Sequence, residues 1–315
     1  MAWRGFNFIP ADTKYRFIAF RKIFFLFSLL LILGAIGISA VKNLNYGIDF
    51  KGGILMEVRV PGEKANIAEM RGTLGNLGLG EVSLQEFGQP TDVLIRVQRQ
   101  EGDEKAQQAA IDKVKKALGD QVTYRRTEFV GPQVSEELFW DGVYAVVAAI
   151  FAILLYIWFR FEWQFGFCAV VALTHDVLST IGLFALLQLE FNLSTVAAVL
   201  TIAGYSINDT VVVFDRVREN LRKYKKMPLS ELLNNSINET LSRTVMTSVT
   251  TLLALAALYI LGGEIIKDFS FAMIWGVVIG TYSSICLAVP LLLYLNIERG
   301  VESGDSKEGA AQEAS

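Results

Sequence analysis

The chain consists of long apolar runs interrupted by one extended polar stretch. Six of the runs are about 18 residues or longer, which is the length a helix needs to cross about 30 Å of hydrocarbon. The runs are 23–41, 142–159, 163–187, 191–214, 244–263 and 269–297. The pattern therefore predicts an α-helical integral membrane protein with six transmembrane helices, the last five forming one membrane domain over 139–297.

The polar stretch 42–138, between the first and second spans, has the periodicity of a small α+β domain. Strands are predicted at 54–60, 81–87, 92–98 and 121–130, and amphipathic helices at 64–77 and 104–118, with a turn at 88–90. The resulting βαββαβ order is the ferredoxin-like arrangement, which hosts many unrelated functions. The glycines of the segment 47–53 (GIDFKGG) predict a tight backbone path where this domain joins the membrane.

The distribution of Lys and Arg predicts the orientation in the membrane. Five basic residues lie in 1–22 and seven lie in 215–243, whereas the short segment 188–190 has none. We expect the N-terminal segment, the loop 215–243 and the C-terminus to face the cytoplasm, and the domain 42–138 to lie on the outer side of the membrane, which in a bacterial inner membrane is periplasmic. The polar tail 298–315 is predicted to be disordered.

Composition excludes several functional classes. Hydrophobic residues make up 52% of the chain, charged residues make up 19%, and the net charge of −3 gives no indication of nucleic-acid binding. Cys168 and Cys286 both lie in apolar runs, and a single histidine cannot build a His-based metal cluster. The chain also lacks an HExxH, GxSxG or phosphate-loop motif. We expect no covalent catalysis, no metal and no cofactor.

Polar residues inside the predicted spans form a candidate proton pathway. A charged side chain at the bilayer centre costs about 2.5–3.5 kcal/mol on insertion scales, so its presence needs a reason. Asp209 lies in a stripe on one face of the fourth span, and Arg243 begins a similar stripe on the fifth. The fourth-span stripe comprises Thr201, Tyr205, Asn208 and Asp209. The fifth-span stripe comprises Arg243, Thr247, Thr250 and Thr251. Protonation of Asp209 would weaken its attraction to Arg243 and let the two helices repack.

Other polar and small residues in the spans have more than one interpretation. The Asp209 and Arg243 pair could also serve only to fix helix packing. Asp176 in the third span, with Thr180 one turn on, is a further candidate for the proton pathway. Its neighbour His175 fits a structural hydrogen bond better than a proton relay. On the sixth span small residues recur every four positions and predict a helix-packing seam; they are Ala272, Gly276, Gly280 and Ser284.

Four strings resemble a known family. They are GIDFKGG at 47–53, EFVGP at 128–132, FRFEWQ at 159–164 and AGYSINDTVVVFDRVREN at 203–220. In this order, with one span, an external domain and five further spans, they resemble the SecF family of bacterial protein-export subunits, within the resistance-nodulation-division (RND) superfamily. The resemblance covers essentially the whole chain except its two ends.

The resemblance implies more than the residue patterns do. It implies a heteromer with SecD, association with the SecYEG channel in the bacterial inner membrane, and contact with secretory proteins in transit. It also implies use of the proton gradient to assist late stages of export, with protons as the coupling ion. Asp209 and Arg243 match positions that the family links to proton passage. A proton-coupled small-molecule exporter of the RND type and a purely structural scaffold are the alternatives.

Overall fold

The computed structural model describes residues 13–102, 104–119 and 121–297. Part of the predicted N-terminal segment, residues 1–12, and the whole of the predicted disordered tail, 298–315, lie outside the described residues.

Within the described residues, six helices are long and apolar enough to cross a membrane, as the sequence predicts. The first five are α1 (Arg21–Lys42), α5 (Pro132–Arg160), α6 (Trp163–Leu187), α7 (Leu193–Lys223) and α8 (Leu229–Leu261). The sixth span starts as α9 (Glu264–Ser283) and continues through a π-helical turn (Ser284–Ala288), α10 (Val289–Leu291) and a 3-10 turn (Leu292–Tyr294). A further 3-10 turn (Phe17–Phe20) precedes α1.

The predicted loop 215–243 is wrong for most of its length, because α7 continues to Lys223 and α8 already begins at Leu229. The end of an apolar run marks where a helix leaves hydrocarbon, and it does not mark where helical hydrogen bonding stops. The two polar extensions are joined side by side by Arg216, whose guanidinium contacts Glu219 and Glu239 at 2.6 Å. The helices therefore project beyond the apolar layer as a pair.

The second span also begins earlier than predicted. Helix α5 starts at Pro132, inside the stretch assigned to the external domain, and not at 142. Proline suits the first helical position because its missing N–H would have no partner there. The preceding Gly131 is the only residue between the domain's last strand and this helix.

The external domain has the predicted βαββαβ order. Its strands are β2 (Gly53–Arg59), β3 (Val82–Phe87), β4 (Gln89–Val97) and β5 (Thr123–Val130), and its helices are α3 (Ile67–Gly75) and α4 (Glu104–Leu118). The sheet is antiparallel throughout, in the order β3-β4-β2-β5. The predicted three-residue turn shrinks to Gly88, at φ 77°, because β4 begins at the next residue.

The two faces of this sheet have different tasks. One face buries alternate strand residues such as Ile54 and Ile95 against Leu74 of α3 and Val114 of α4. The other face packs against the short helix α2 (Ile48–Lys51), which connects α1 to the domain. This second face therefore turns towards the membrane helices.

Two glycines allow the chain to enter the sheet directly after α2. Gly52 and Gly53 have φ values of 70° and 127°, which L side chains rarely adopt. A Cβ on Gly53 would also lie 2.7 Å from the carbonyl oxygen of Val97. The tight backbone path predicted for 47–53 is present at this junction.

The centre of the helical bundle consists of α6, α7 and the sixth span. A Cβ built on Gly276 would lie 2.2 Å from the side chain of Ile202 on α7, and one on Gly280 would lie 3.1 Å from Ser206 Cβ. The small-residue seam predicted on the sixth span thus faces α7, with Ser284 also buried there. Helices α1, α5 and α8 surround this centre and remain largely exposed on the isolated chain.

Candidate functional site

Asp176 is the centre of a buried polar cluster that joins three helices. Its side chain on α6 is fully buried, and its Oδ2 accepts hydrogen bonds from Ser206 Oγ of α7 at 2.5 Å and Ser283 Oγ of α9 at 2.7 Å. His175 Nδ1 lies 2.9 Å from the other oxygen, Oδ1. A buried carboxyl that gathers donors from neighbouring helices fixes their relative position, because each lost donor would leave a buried acceptor unsatisfied.

Hydroxyl pairs continue this cluster along the sixth span. Thr210 Oγ1 and Ser284 Oγ are 2.8 Å apart, and Ser28 Oγ lies 3.0 Å from the Tyr282 hydroxyl, which donates to a carbonyl of α1. Sequence reasoning missed Ser206, Ser283 and Tyr282 as members of the site. The signal available was the run of four hydroxyl residues 281–284 in the middle of an apolar stretch.

Asp209 has a different environment. Its side chain is 3% exposed, and its Oδ2 has no hydrogen-bond partner among the residues that the structure describes. Arg243 is exposed on α8, and its charge acts on the carboxyl through space, but the two side chains form no ion pair within 4.0 Å. The direct contact expected between Asp209 and Arg243 is therefore absent from this chain, since one side chain turns into the bundle and the other turns out of it.

The rest of the predicted stripes lies on the outer side of α7 and α8. Thr201 and Asn208 are exposed, and Tyr205 is half-buried with its hydroxyl unpartnered. At about 100° per residue, Asp209 stands about 80° round the helix from Thr201, whereas Asn208 stands about 20° away. The stripe therefore divides, with Asn208 facing outward and Asp209 facing inward.

The hydroxyls of the fifth-span stripe are satisfied within their own helix. Thr247 donates to the carbonyl of Arg243 at 2.9 Å, Thr250 donates to the carbonyl of Met246 at 3.0 Å, and Thr251 follows the same pattern. Thr247 is half-buried and Thr250 is exposed. Together with Asn208 and Arg243, these groups form an outward polar face of α7 and α8.

Comparison with known sequences decides the family. Residues 110–298, more than half of the chain, match the family model described as protein export membrane protein SecD/SecF, C-terminal. The chain belongs to the SecD/SecF family. Residues 37–60 match a second model of this family, the SecD/SecF GG motif, which covers Gly52 and Gly53, the two positive-φ glycines at the entrance to the sheet.

Relatives named SecF align along nearly their whole length. The protein translocase subunit SecF of Rickettsia rickettsii is 46% identical over 288 residues, which are 90% of this chain and 92% of the relative. The SecF of Rhodobacter capsulatus is 46% identical over 324 residues, covering 98% and 96%. The resemblance to SecF proteins is therefore confirmed, and the chain is an accessory subunit of Sec protein export. The relatives' names do not favour the alternative of a small-molecule exporter.

Solved SecDF structures share the fold. The crystal structure of SecDF, a translocon-associated membrane protein from Thermus thermophilus, matches with a TM-score of 0.82 and 37% identity over 90% of this chain. SecDF in its super-membrane-facing form matches with a TM-score of 0.67 over 91% of this chain. The SecD/SecF chain described here spans 39% of each SecDF chain. It is a multi-pass membrane protein of the SecF type.

Proposed function

We propose that this SecF-type subunit uses the proton-motive force to assist late stages of protein translocation across the bacterial inner membrane. The observation that carries the proposal is Asp209, a carboxyl buried in a membrane helix, with one oxygen that meets no hydrogen-bond donor in the described part of the chain. A buried carboxylate without donors is costly, so changing its proton occupancy changes the energy of the surrounding packing. One proton crossing 100 mV releases about 2.3 kcal/mol.

The two buried carboxyls have separate roles in this proposal. Asp176 already accepts hydrogen bonds from two other helices and suits a fixed point, with His175 holding one of its oxygens. Asp209 Oδ2 has no such donor within the described residues, so Asp209 suits the exchanging group. Ser206 lies three residues before Asp209 on α7, so a shift of that helix is felt directly at Asp176.

The outward polar face of α7 and α8 supports a heteromer with SecD. Asn208, Thr250 and Arg243 are exposed there on the isolated chain, where hydrocarbon would solvate them poorly. A SecD chain packed on this face would cover these three residues. It would also bring Arg243, and polar groups of SecD, towards Asp209. We propose that this subunit and SecD work beside SecYEG on secretory proteins, with protons as the coupling ion. In this arrangement the ends of α7 and α8 near Lys223 lie in the cytoplasm.

The test is export of a secreted reporter in cells whose only copy carries Asp209→Asn. Asparagine keeps nearly the same shape and removes the ionisable proton, so export is expected to slow towards the rate of cells that lack the subunit. Asp215→Asn is the matched control, because Asp215 lies on the same helix but forms an exposed ion pair with Arg160 at 2.7 Å. The amounts of inserted subunit and of bound SecD are measured in parallel. Normal export by Asp209→Asn, with both amounts unchanged, contradicts proton coupling through this residue.

A further inference from the structure

The loop between α6 and α7 brings the two carboxyl-bearing helices to the external domain. Asp176 lies on α6 and Asp209 on α7, and only residues 188–192 separate the helices. Within this loop, β6 (Glu190–Phe191) pairs in parallel with β1 (Asn45–Tyr46), directly before α2 and the domain. A relative displacement of α6 and α7 would therefore act directly on this loop.

One ion pair ties the loop to the sheet of the domain. Arg96, on the central strand β4, contacts the carboxylate of Glu190 through Nη2, although the two residues are 94 positions apart. Both side chains are largely buried, at 18% and 15% exposed, so solvent screens the pair less than it screens a surface pair. The fit is close, because a Cβ on Gly47 would lie 2.6 Å from the Glu190 carboxylate.

A second contact ties the short helix α2 to the start of α7. Asp49 Oδ2 accepts a hydrogen bond from the backbone N–H of Leu193 at 2.9 Å. An acidic group at a helix N-terminus satisfies one of the free N–H groups there and interacts favourably with the helix dipole. The N-terminal end of α7 is thus held from the domain side as well.

The covalent connections of the domain lead to other helices. The chain enters the domain from α1 and leaves it through Gly131 into α5, and both helices lie at the periphery of the bundle without a buried carboxyl. A cleft of about 140 Å³ lies beside Glu190, between the domain and the span ends, and Glu57, Ser194 and Phe269 contribute to its lining. The joint is therefore incompletely packed beside Glu190, and its polar contacts act together with ring contacts such as Phe50 with Phe191.

From this geometry we propose that Arg96 and Glu190 are positioning residues that transmit movement of α6 and α7 to the external domain. We call the pair the clasp. The inference rests on the proposed function, since it supplies the route by which a proton-driven change in the spans reaches the domain. In this proposal the clasp acts on the position of the domain and has no part in proton transfer.

The first experiment exchanges the charges of the clasp in the full chain with its partner. Arg96→Glu and Glu190→Arg are each expected to lower reporter export several-fold, because each places two like charges together in a mostly buried site. The double variant restores the opposite charges and should recover a substantial part of the export. Exchanging Lys64 and Glu86, an exposed ion pair of the same domain, is the control and should leave export unchanged. Normal export by both single variants overturns the proposal.

The second experiment separates transmission from folding. Spin labels at the exposed positions Gln85 of β3 and Leu261 of α8 report the distance between domain and spans. With the clasp intact, Asp209→Asn is expected to change the distribution of distances between the two labels. In a chain that also carries the near-isosteric Glu190→Gln, Asp209→Asn should no longer change that distribution. A change that persists in Glu190→Gln overturns the clasp and leaves the proposed function standing. An unchanged distance with the clasp intact overturns the clasp, and normal export by Asp209→Asn separately overturns the proposed function.

Discussion

At the scale of single residues, the two buried carboxyls of the bundle show how the same group acquires different tasks. Asp176 accepts hydrogen bonds from the hydroxyls of two neighbouring helices, whereas Asp209 has an oxygen with no donor. A satisfied carboxyl holds helices together, and an unsatisfied one makes its surroundings sensitive to the proton it carries. The sequence pattern predicts that both residues lie in spans, but it does not predict which hydrogen-bond donors of other helices they meet.

Removal of one donor to Asp176 should weaken the bundle. Ser283→Ala leaves a buried acceptor with one partner fewer, and we expect a loss of about 0.5–2 kcal/mol in stability, seen as a lower Tm of the detergent-solubilised chain. Ser270→Ala is the matched control, because Ser270 on the same helix is equally buried and donates to the carbonyl of Ile266 in its own helix. An equal loss in both variants would contradict a special role for the bond to Asp176.

Asp92 in the external domain should make the stability of that domain depend on pH. The bidentate hydrogen bond from Arg59, at 2.6 and 2.8 Å, holds the pKa of the Asp92 carboxyl below its usual range, and Arg125 adds a contact at 2.9 Å. A depressed pKa in the folded state contributes stability above the unfolded value of about 3.9, and that stability is lost as the pH falls through the folded value.

The measurement is amide hydrogen exchange of β2 and β4 between pH 6 and pH 3. Protection in the wild type should fall steeply below about pH 4. Asp92→Asn should start from lower protection at pH 6 and show a shallower fall. Asp112→Asn, on the exposed side of α4, should follow the wild type. A wild-type slope retained in Asp92→Asn would assign the acid sensitivity to other carboxyls.

At the scale of helices, the glycine seam decides how closely the sixth span approaches α7. Gly276→Ala would place a methyl group 2.2 Å from Ile202 and force the helices apart, at an expected cost of about 1–3 kcal/mol. Gly34→Ala is the control, since a Cβ at that position of α1 meets nothing within 4 Å. Thermal unfolding in detergent compares the two, and a similar Tm for both would mean that the bundle can relax around the added methyl.

Helix identity was predictable from the sequence and helix extent was not. Apolar length identifies all six spans, and α6 has the predicted bounds, Trp163–Leu187, because Glu162 precedes it and Gln188, in the left-handed conformation, ends it. Helices α5, α7 and α8 extend into polar sequence, where hydropathy carries no information about backbone hydrogen bonding. The extension of α7 to Lys223 depends on contacts with α8 that no local pattern contains.

The candidate site was predictable as a set of residues and not as a geometry. Helical periodicity placed Asp209 on the same face as Thr201, yet an 80° difference round the helix is enough to bury one and expose the other. The donors to Asp176 are Ser206 of α7 and Ser283 of α9, which lie 30 and 107 positions further along the chain. Single-sequence periodicity describes one helix at a time, so such contacts lie beyond it.

At the scale of the whole molecule, three central spans carry the buried polar cluster and three outer spans surround it incompletely. The domain is attached covalently to outer spans and through the clasp to central ones. The outer spans therefore anchor the domain, whereas the clasp transmits movement of the central spans to it. A domain held only by α1 and α5 could stay in place while the centre of the bundle rearranges, whereas the clasp links the two.

The outward polar face of α7 and α8 has a consequence for the cell. A copy inserted without its proposed partner leaves Asn208 and Arg243 uncovered on the outer side of the bundle, where contact with hydrocarbon is costly for polar and charged groups. We expect such unpaired copies to be less stable in the membrane than copies covered by the partner. The steady-state amount of this subunit would then follow the supply of its partner. The polar residues on one helical surface would thus require the cell to synthesise the two chains in balance.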